Sequence, residues 1–327
     1  MVRRVLVFLA VSVVIYLAIA LGLIASQRPS LLSVEGGLDF TALGASDTPA
    51  APLETFTARD GTELLYRSYA SGREGAPLLV FVHGSGWHGL AYDGLARRIA
   101  EAGAADVVLP DLRGHGVNPE RRGDIDYIGQ YEDDLSDLIL QVRKISQSIV
   151  IAGHSSGGGL AIRLTAGAYG DMFAGAILIA PYVHHEAPSM RPDSGGWAQP
   201  FIRRIIGLVM LNNVGVTALN GLPVIQFAFP QSVLDGPLGQ TATTSYSFRL
   251  NTSYAPRNDY LSEIAALPPF LLIAGAEDEA FVADRYEPML AAENSGGSYH
   301  LLPGVSHLGV IDEEPTAELI TEFLREF

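Results

Sequence analysis

Apolar positions fall into three patterns along this chain. The first is one unbroken run. Residues 5–24 read VLVFLAVSVVIYLAIALGLI, with no charged position. As a helix such a run is about 30 Å long, the thickness of a bilayer's hydrocarbon core. Every face of it is apolar, so a soluble core would have to cover it all round. Arg3 and Arg4 precede the run and favour a cytoplasmic N-terminus. A cleaved signal peptide has a shorter apolar core and small residues at its exit. Here the exit reads Leu23-Ile24-Ala25. The expectation is an uncleaved signal-anchor over residues 1–26, with the rest on the outer (periplasmic or extracellular) side. Cleavage would make the protein secreted.

The second pattern is a series of short apolar stretches, and the third is helical spacing between them. Residues 27–52 have neither and read as a tether. In TFTARDGTELLYRSY two alternating stretches flank Asp60-Gly61, the signature of a β-hairpin. LLVFVHG follows, apolar on both faces like a buried parallel strand. Leu95, Ile99 and Ala102 share one face of a helix predicted over 91–102. DVVLPDLRGHG reads as a strand entering a Gly-rich loop. Leu135, Leu138, Ile139 and Val142 form the stripe of a helix predicted over 131–145, with acidic residues in its first turn. SIVIAGHSSGGG is a strand ending in a sharp turn, a helix begins at Leu160, and GAILIAPYV is a strand. This order implies a mainly parallel sheet with helices on both faces.

The alternation stops over residues 184–260, which carry Pro188, Pro192, Pro200, Pro223, Pro230 and Pro237. So long a stretch needs structure of its own and reads as an inserted cap. Its segments FIRRIIGLVML and LPVIQFAF read either as cap core or as the wall of an acyl-chain channel. After it come PFLLIAGAEDE as a strand, a helix over 284–293, the strand and loop SYHLLPGVSH, and a last helix over 315–327. The organisation is therefore anchor 1–26, tether 27–52, core 53–183, cap 184–260 and core 261–327.

Composition narrows the function classes. The 327 residues are 48% hydrophobic and 17% charged, with a net charge of −15. So acidic a chain, without a basic run beyond Arg3-Arg4, repels nucleic acid. The absence of cysteine excludes disulfides, thiolate catalysis and cysteine-bound metals.

The chemistry concentrates at Gly153-His154-Ser155-Ser156-Gly157. It has the G-x-S-x-G spacing, after an apolar strand and before a helix. There a serine sits on a strained turn with its hydroxyl above the sheet, and the residues two before and two after must be small. The following helix points its positive end at the site. A serine needs a base, and the chain order Ser, acid, His then expects an acid after a later strand and a histidine near the end. Asp278 follows LLIAGAE, and His307 lies in PGVSHLG. Glu277, Glu279 and Asp284 are rival acids; Glu277 and Glu279 leave the strand in the opposite direction to Asp278. His300 falls within a strand and reads as structural. Oxyanion donors are expected from the Ser156 N–H and from His83-Gly84-Ser85-Gly86-Trp87, with Ser85 preferred and Gly86 as its rival. His83, His115 and His154 read as bracing residues. His184-His185-Glu186 lacks the HExxH spacing, and Gly157-Gly158-Gly159 has no P-loop lysine. No metal or cofactor is expected.

The ordered set HGSG, DLRGHG, GHSSG, GAED and GVSH resembles the α/β-hydrolase superfamily. Within it the chain is similar to the serine hydrolases that include monoacylglycerol lipases, lysophospholipases and S33-type aminopeptidases. The resemblance runs from about residue 55 to 327, interrupted by the cap. It implies an α/β-hydrolase fold and excludes the Asp-nucleophile relatives, because the elbow carries Ser155. The expected activity is hydrolysis of carboxylic esters, lipid-derived ones such as acylglycerols or lysophospholipids, with no obligate protein partner. The alternatives are a peptidase or amidase of the S33 type, which would need an acidic subsite, and a non-catalytic binding protein on the same fold.

Overall fold

A computed structural model describes residues 1–29, 37–40, 49–191 and 195–327. The parts of the expected tether at 30–36 and 41–48 lie outside the described residues. The hairpin forms around Asp60-Gly61, joining β1 (Glu54–Thr57) to β2 (Glu63–Tyr69). The apolar runs become β3 (Leu78–Val82), β4 (Asp106–Pro110), β5 (Ile149–His154) and β6 (Gly175–Ile179). Strands β7 (Ala198–Pro200), β8 (Pro223–Phe227) and β9 (Ser245–Ser247) form a separate antiparallel sheet. β10 (Phe270–Gly275) and β11 (Gly297–Leu302) return to the main sheet. Its order is β1-β2-β4-β3-β5-β6-β10-β11, antiparallel at the β1–β2 and β2–β4 pairs and parallel from β4 onward.

Side-chain alternation divides the core. Leu78, Val80 and Val82 face one apolar cluster, and Leu79 and Phe81 face the other. On the first side pack α3 (Gln130–Val142), α4 (Ser156–Thr165) and α9 (Tyr286–Glu293). On the second lie α2 (Asp93–Glu101) and α10 (Glu314–Leu324). Helix α3 stops at Val142 rather than running to Ile145. Arg143 turns to extended backbone and Gln147 N–H closes a turn on Lys144 O, which leaves Ile145 fully in solvent.

Between β6 and β10 the chain builds the cap from β7–β9 with α5 (Ile202–Asn212), α6 (Gln231–Leu234) and α7 (Phe248–Tyr254); α8 (Tyr260–Ala265) leads back. The apolar run forms α1 (Val2–Ala25), long and apolar enough to cross a membrane. Its last three turns do not stand alone. Ala20 and Ile24 form a buried cluster with Leu208 and Leu211 of α5 and with Val224 and Phe248 of the cap. Helix α5 is thus core at its contact with α1, and none of its residues lines the cavity at Ser155.

Candidate active site

Ser155 stands between β5 and α4 at φ +54 and ψ −122, a conformation that non-glycine residues rarely adopt. The surroundings hold it there. Its N–H donates to Ile179 O at 2.9 Å, and its carbonyl accepts from Gly159 N–H at 3.2 Å and Tyr182 N–H at 2.9 Å. The two flanking glycines are needed for close approach. A Cβ on Gly157 would lie 2.3 Å from Val82 O, and one on Gly153 would lie 2.1 Å from Gly157 O.

Asp278 follows β10 and His307 follows β11, and their side chains meet. His307 Nδ1 lies 2.8 Å from Asp278 Oδ2, with both residues buried. The other carboxylate oxygen of Asp278 accepts from the Ala280 and Phe281 N–H groups at 2.8 and 2.7 Å. The carboxylate is therefore fixed on both sides. The His307 ring lies against His154 and Phe281. Of the rival acids, Glu277 points to solvent and Asp284 pairs loosely with Arg285. Glu279 behaves differently from its sequence reading. Its Oε2 accepts the His307 backbone N–H at 2.9 Å and its Oε1 accepts from Asp39 N–H at 3.1 Å.

In the loop after β3, two N–H groups are already taken. Gly84 donates to Tyr92 OH at 2.9 Å and Gly86 donates to Tyr246 OH at 2.5 Å. Among the described residues no acceptor is found for the Ser85 N–H. Ser156 opens α4, so its N–H has no intrahelical acceptor. The Ser85 and Ser156 hydroxyls share a hydrogen bond, which ties the two candidate donors together.

His83, His115 and His154 brace this frame. Leu112 N–H donates to His83 Nε2 at 3.1 Å, so the His83 proton sits on Nδ1 and faces Gly84 O at 2.9 Å. His115 contacts Tyr246 OH through Nε2 at 2.7 Å. His154 contacts Tyr92 OH through Nδ1 at 3.1 Å and His307 O through Nε2 at 3.0 Å. Burial pushes His83 down to about 4 and His88 to about 3. Burial, reinforced by neighbouring imidazoles, also holds His115 and His154 well below the ordinary histidine range. His184, His185 and Glu186 have ligand atoms within 4.8 Å of one another, but His184 Nδ1 accepts from Glu186 N–H and its ring stacks on Tyr260.

Ser155, His307 and Ser85 line one cavity, whose other walls include Leu38, Phe40, Trp87 and Trp197. It encloses about 20 Å³, room for about one water. Phe40 makes ring contacts with Trp87, Trp197 and Phe229. Part of the expected tether is therefore folded over the site. A larger cavity of about 260 Å³ lies between β2 and the DLRGHG loop and touches neither Ser155 nor His307.

The family model for the alpha/beta hydrolase family matches residues 79–322. The chain belongs to this family. This α/β hydrolase is 31% identical over 103 residues to a non-heme chloroperoxidase of Kitasatospora aureofaciens, covering 32% of this chain and 34% of the relative. Matches to the curated relatives span about a third of their length. In fold the hydrolase is similar to a thermophilic esterase from Thermogutta terrifontis, with TM-score 0.58, 20% identity, and 84% and 99% of the two chains covered. It is also similar to a membrane phospholipase A, with TM-score 0.56, 18% identity and 100% of both chains covered.

Proposed function

We propose that this chain is a membrane-anchored serine hydrolase of carboxylic esters, with Ser155, His307 and Asp278 as its catalytic triad. One observation carries the reading. The buried Asp278–His307 pair, 2.8 Å apart, belongs to a histidine that shares a small cavity with a strained serine.

Asp278 holds the Nδ1 proton of His307, which leaves Nε2 as the base. Ser155 Oγ attacks the ester carbonyl carbon, and its proton passes to Nε2. The Ser85 and Ser156 N–H groups receive the charge that develops on the carbonyl oxygen. The C–O bond to the alcohol breaks, the alcohol leaves with the proton from Nε2, and an acyl-Ser155 ester remains. Water, deprotonated by His307, then releases the acid and restores the Ser155 hydroxyl.

The cavity walls favour an acyl substrate. Leu38, Phe40, Trp87 and Trp197 are apolar or aromatic, and no carboxylate lines the cavity among the described residues. An aminopeptidase would need one for the substrate's ammonium group. Glu186, Asp235 and Asp259 do not line it, and Asp193 lies outside the described residues. As packed, the cavity leaves about one water's volume, so an ester enters only if its walls move apart. In this reading helix α1 is the membrane anchor and the catalytic domain lies on the outer side, which suits lipid-derived esters such as acylglycerols or lysophospholipids. The likeness of fold to a membrane phospholipase A extends over the same helix.

The test compares p-nitrophenyl esters, acylglycerols and lysophospholipids with aminoacyl p-nitroanilides, for the native chain and for Ser155→Ala. Ester turnover abolished by the substitution, with anilides untouched by either protein, is the expected result. Faster anilide cleavage transfers the assignment to a peptidase. Ester turnover unchanged in Ser155→Ala removes the nucleophile.

A further inference from the structure

Helices α1 and α5 lie side by side and run in opposite directions. At one end Arg203 N–H donates to Gln27 Oε1 at 3.0 Å, and the Arg203 guanidinium donates to Ser26 O at 3.1 Å. One turn on, Gly207 lies against the α1 backbone, where a Cβ would come 2.5 Å from Ala20 O. At the far end Tyr16 OH donates to Met210 O at 2.8 Å. Helix α5 therefore tracks α1 from Gln27 back to Tyr16. That stretch is about 16 Å long at 1.5 Å per residue, half of a hydrocarbon core of ~30 Å.

The face of α5 turned away from α1 is apolar and uncovered. Ile202, Ile206 and Val209 follow one another at i, i+4 and i+7 and are exposed, and the turn beyond continues with exposed Val214 and Val216. A soluble cap helix would present polar residues there. Residues 205–222 carry no charge, whereas Arg203 and Arg204 sit together at the Gln27 end. The Asn212 and Asn220 amides, near the uncharged tip, satisfy each other at 2.7 and 2.9 Å. Polar groups in hydrocarbon must be paired in this way within the protein.

We infer that α5 and the turn through Val216 are immersed in the membrane leaflet nearest the catalytic domain, where they contact lipid acyl chains beside α1. This rests on the reading of α1 as a membrane anchor. The exposed apolar face of α5 is continuous with that of α1, whose Val13, Val14, Ile15 and Ile19 are exposed alongside it. The depth matches one leaflet, and the arginines fall where headgroups begin. Two consequences follow. Removal of α1 would uncover Gly207, Leu208 and Leu211, so the α1 segment is retained in the working enzyme. In addition, Trp197, which lines the cavity over Ser155, lies just ahead of β7 and α5, so the immersed element and the substrate wall belong to one continuous stretch.

The absence of native cysteine makes the test direct. Single cysteines are placed in the full chain by Ile206→Cys, Val209→Cys and Val216→Cys, with Leu9→Cys in α1 and Glu287→Cys in α9 as references. Each is labelled with an environment-sensitive fluorophore and reconstituted into phosphatidylcholine vesicles whose acyl chains carry bromine. Quenching of the three cap probes comparable to that of Leu9→Cys, with Glu287→Cys unquenched, is expected. Quenching at Leu9→Cys alone overturns the immersion of α5 and leaves the anchor standing. No quenching at Leu9→Cys removes the anchor and this inference together. As a second readout, Ile206→Glu combined with Val209→Glu should lose turnover of vesicle lipid while keeping that of a short soluble ester. Equal effects on both substrates contradict lipid contact.

Discussion

His154 Nε2 lies 3.0 Å from the backbone carbonyl of His307. The elbow that carries Ser155 thus holds the loop that carries His307, and Tyr92 links the same imidazole to Gly84 N–H in the loop after β3. We propose His154 as a positioning residue for His307. His154→Ala should lower kcat on the order of 10²-fold, as expected when a catalytic group is misplaced by about 1 Å. KM should change little, and His154→Gln, which keeps a donor, should recover part of the loss. Steady-state kinetics on one soluble ester checks both variants. A change confined to KM contradicts the role.

The proposed acid, Asp278, and its neighbour Glu279 are separable. Asp278→Asn should cost about 10⁴-fold in kcat, because the amide favours the wrong imidazole tautomer. Glu279 holds the same loop only through the His307 N–H. Glu279→Gln keeps an acceptor for that N–H and should leave most of the activity. Equal losses in the two variants would reassign the acid.

Buried histidines make the fold sensitive to acid. An unfolded histidine titrates near 6.5, whereas folded His83 and His88 titrate near 4 and 3. Between these values the unfolded chain binds protons that the folded chain does not. Stability therefore falls as pH drops from about 6.5 toward 4 and is insensitive to these groups above that window. Urea midpoints measured at about pH 7 and about pH 5 should show this fall, and His88→Gln should make it shallower. An unchanged slope contradicts the assignment of His88 as a buried neutral group.

The α1–α5 seam is closest at Gly207. Gly207→Leu would drive a side chain into the Ala20 carbonyl and Ile24, and overpacking of this kind costs about 1–3 kcal/mol. The thermal midpoint of the full chain in detergent should fall, while the ester kinetics at low temperature stay intact. An unshifted midpoint contradicts the close approach of α1 at Gly207.

Local signals read well from the sequence. The buried strands, the hairpin at Asp60-Gly61, the elbow and the acid–histidine pairing of Asp278 and His307 all follow from short patterns with a fixed physical cause. Contacts distant in sequence left no such trace. Tyr246 reaches Gly86 from the cap and Tyr92 reaches Gly84 from the far side of its own loop, and neither tyrosine belongs to a motif. Glu279 is a rival acid in the sequence, set aside by alternation of side chains, which is valid within a strand but does not hold in the turn where Glu279 accepts the His307 N–H. Leu38 and Phe40 lie in a stretch without periodicity, so their packing over the cavity was invisible. The sequence leaves the α5 segment open between cap core and a channel wall, because its antiparallel seam with α1 joins residues distant in the chain.

The central claim is that Ser155 is an activated nucleophile. A fluorophosphonate probe, followed by peptide mapping of the labelled full-length protein, tests it most directly. One adduct is expected, on the peptide containing Gly153-His154-Ser155, lost in Ser155→Ala and strongly slowed in His307→Ala. An esterase-active protein that stays unlabelled at Ser155, or that is labelled elsewhere, would contradict it.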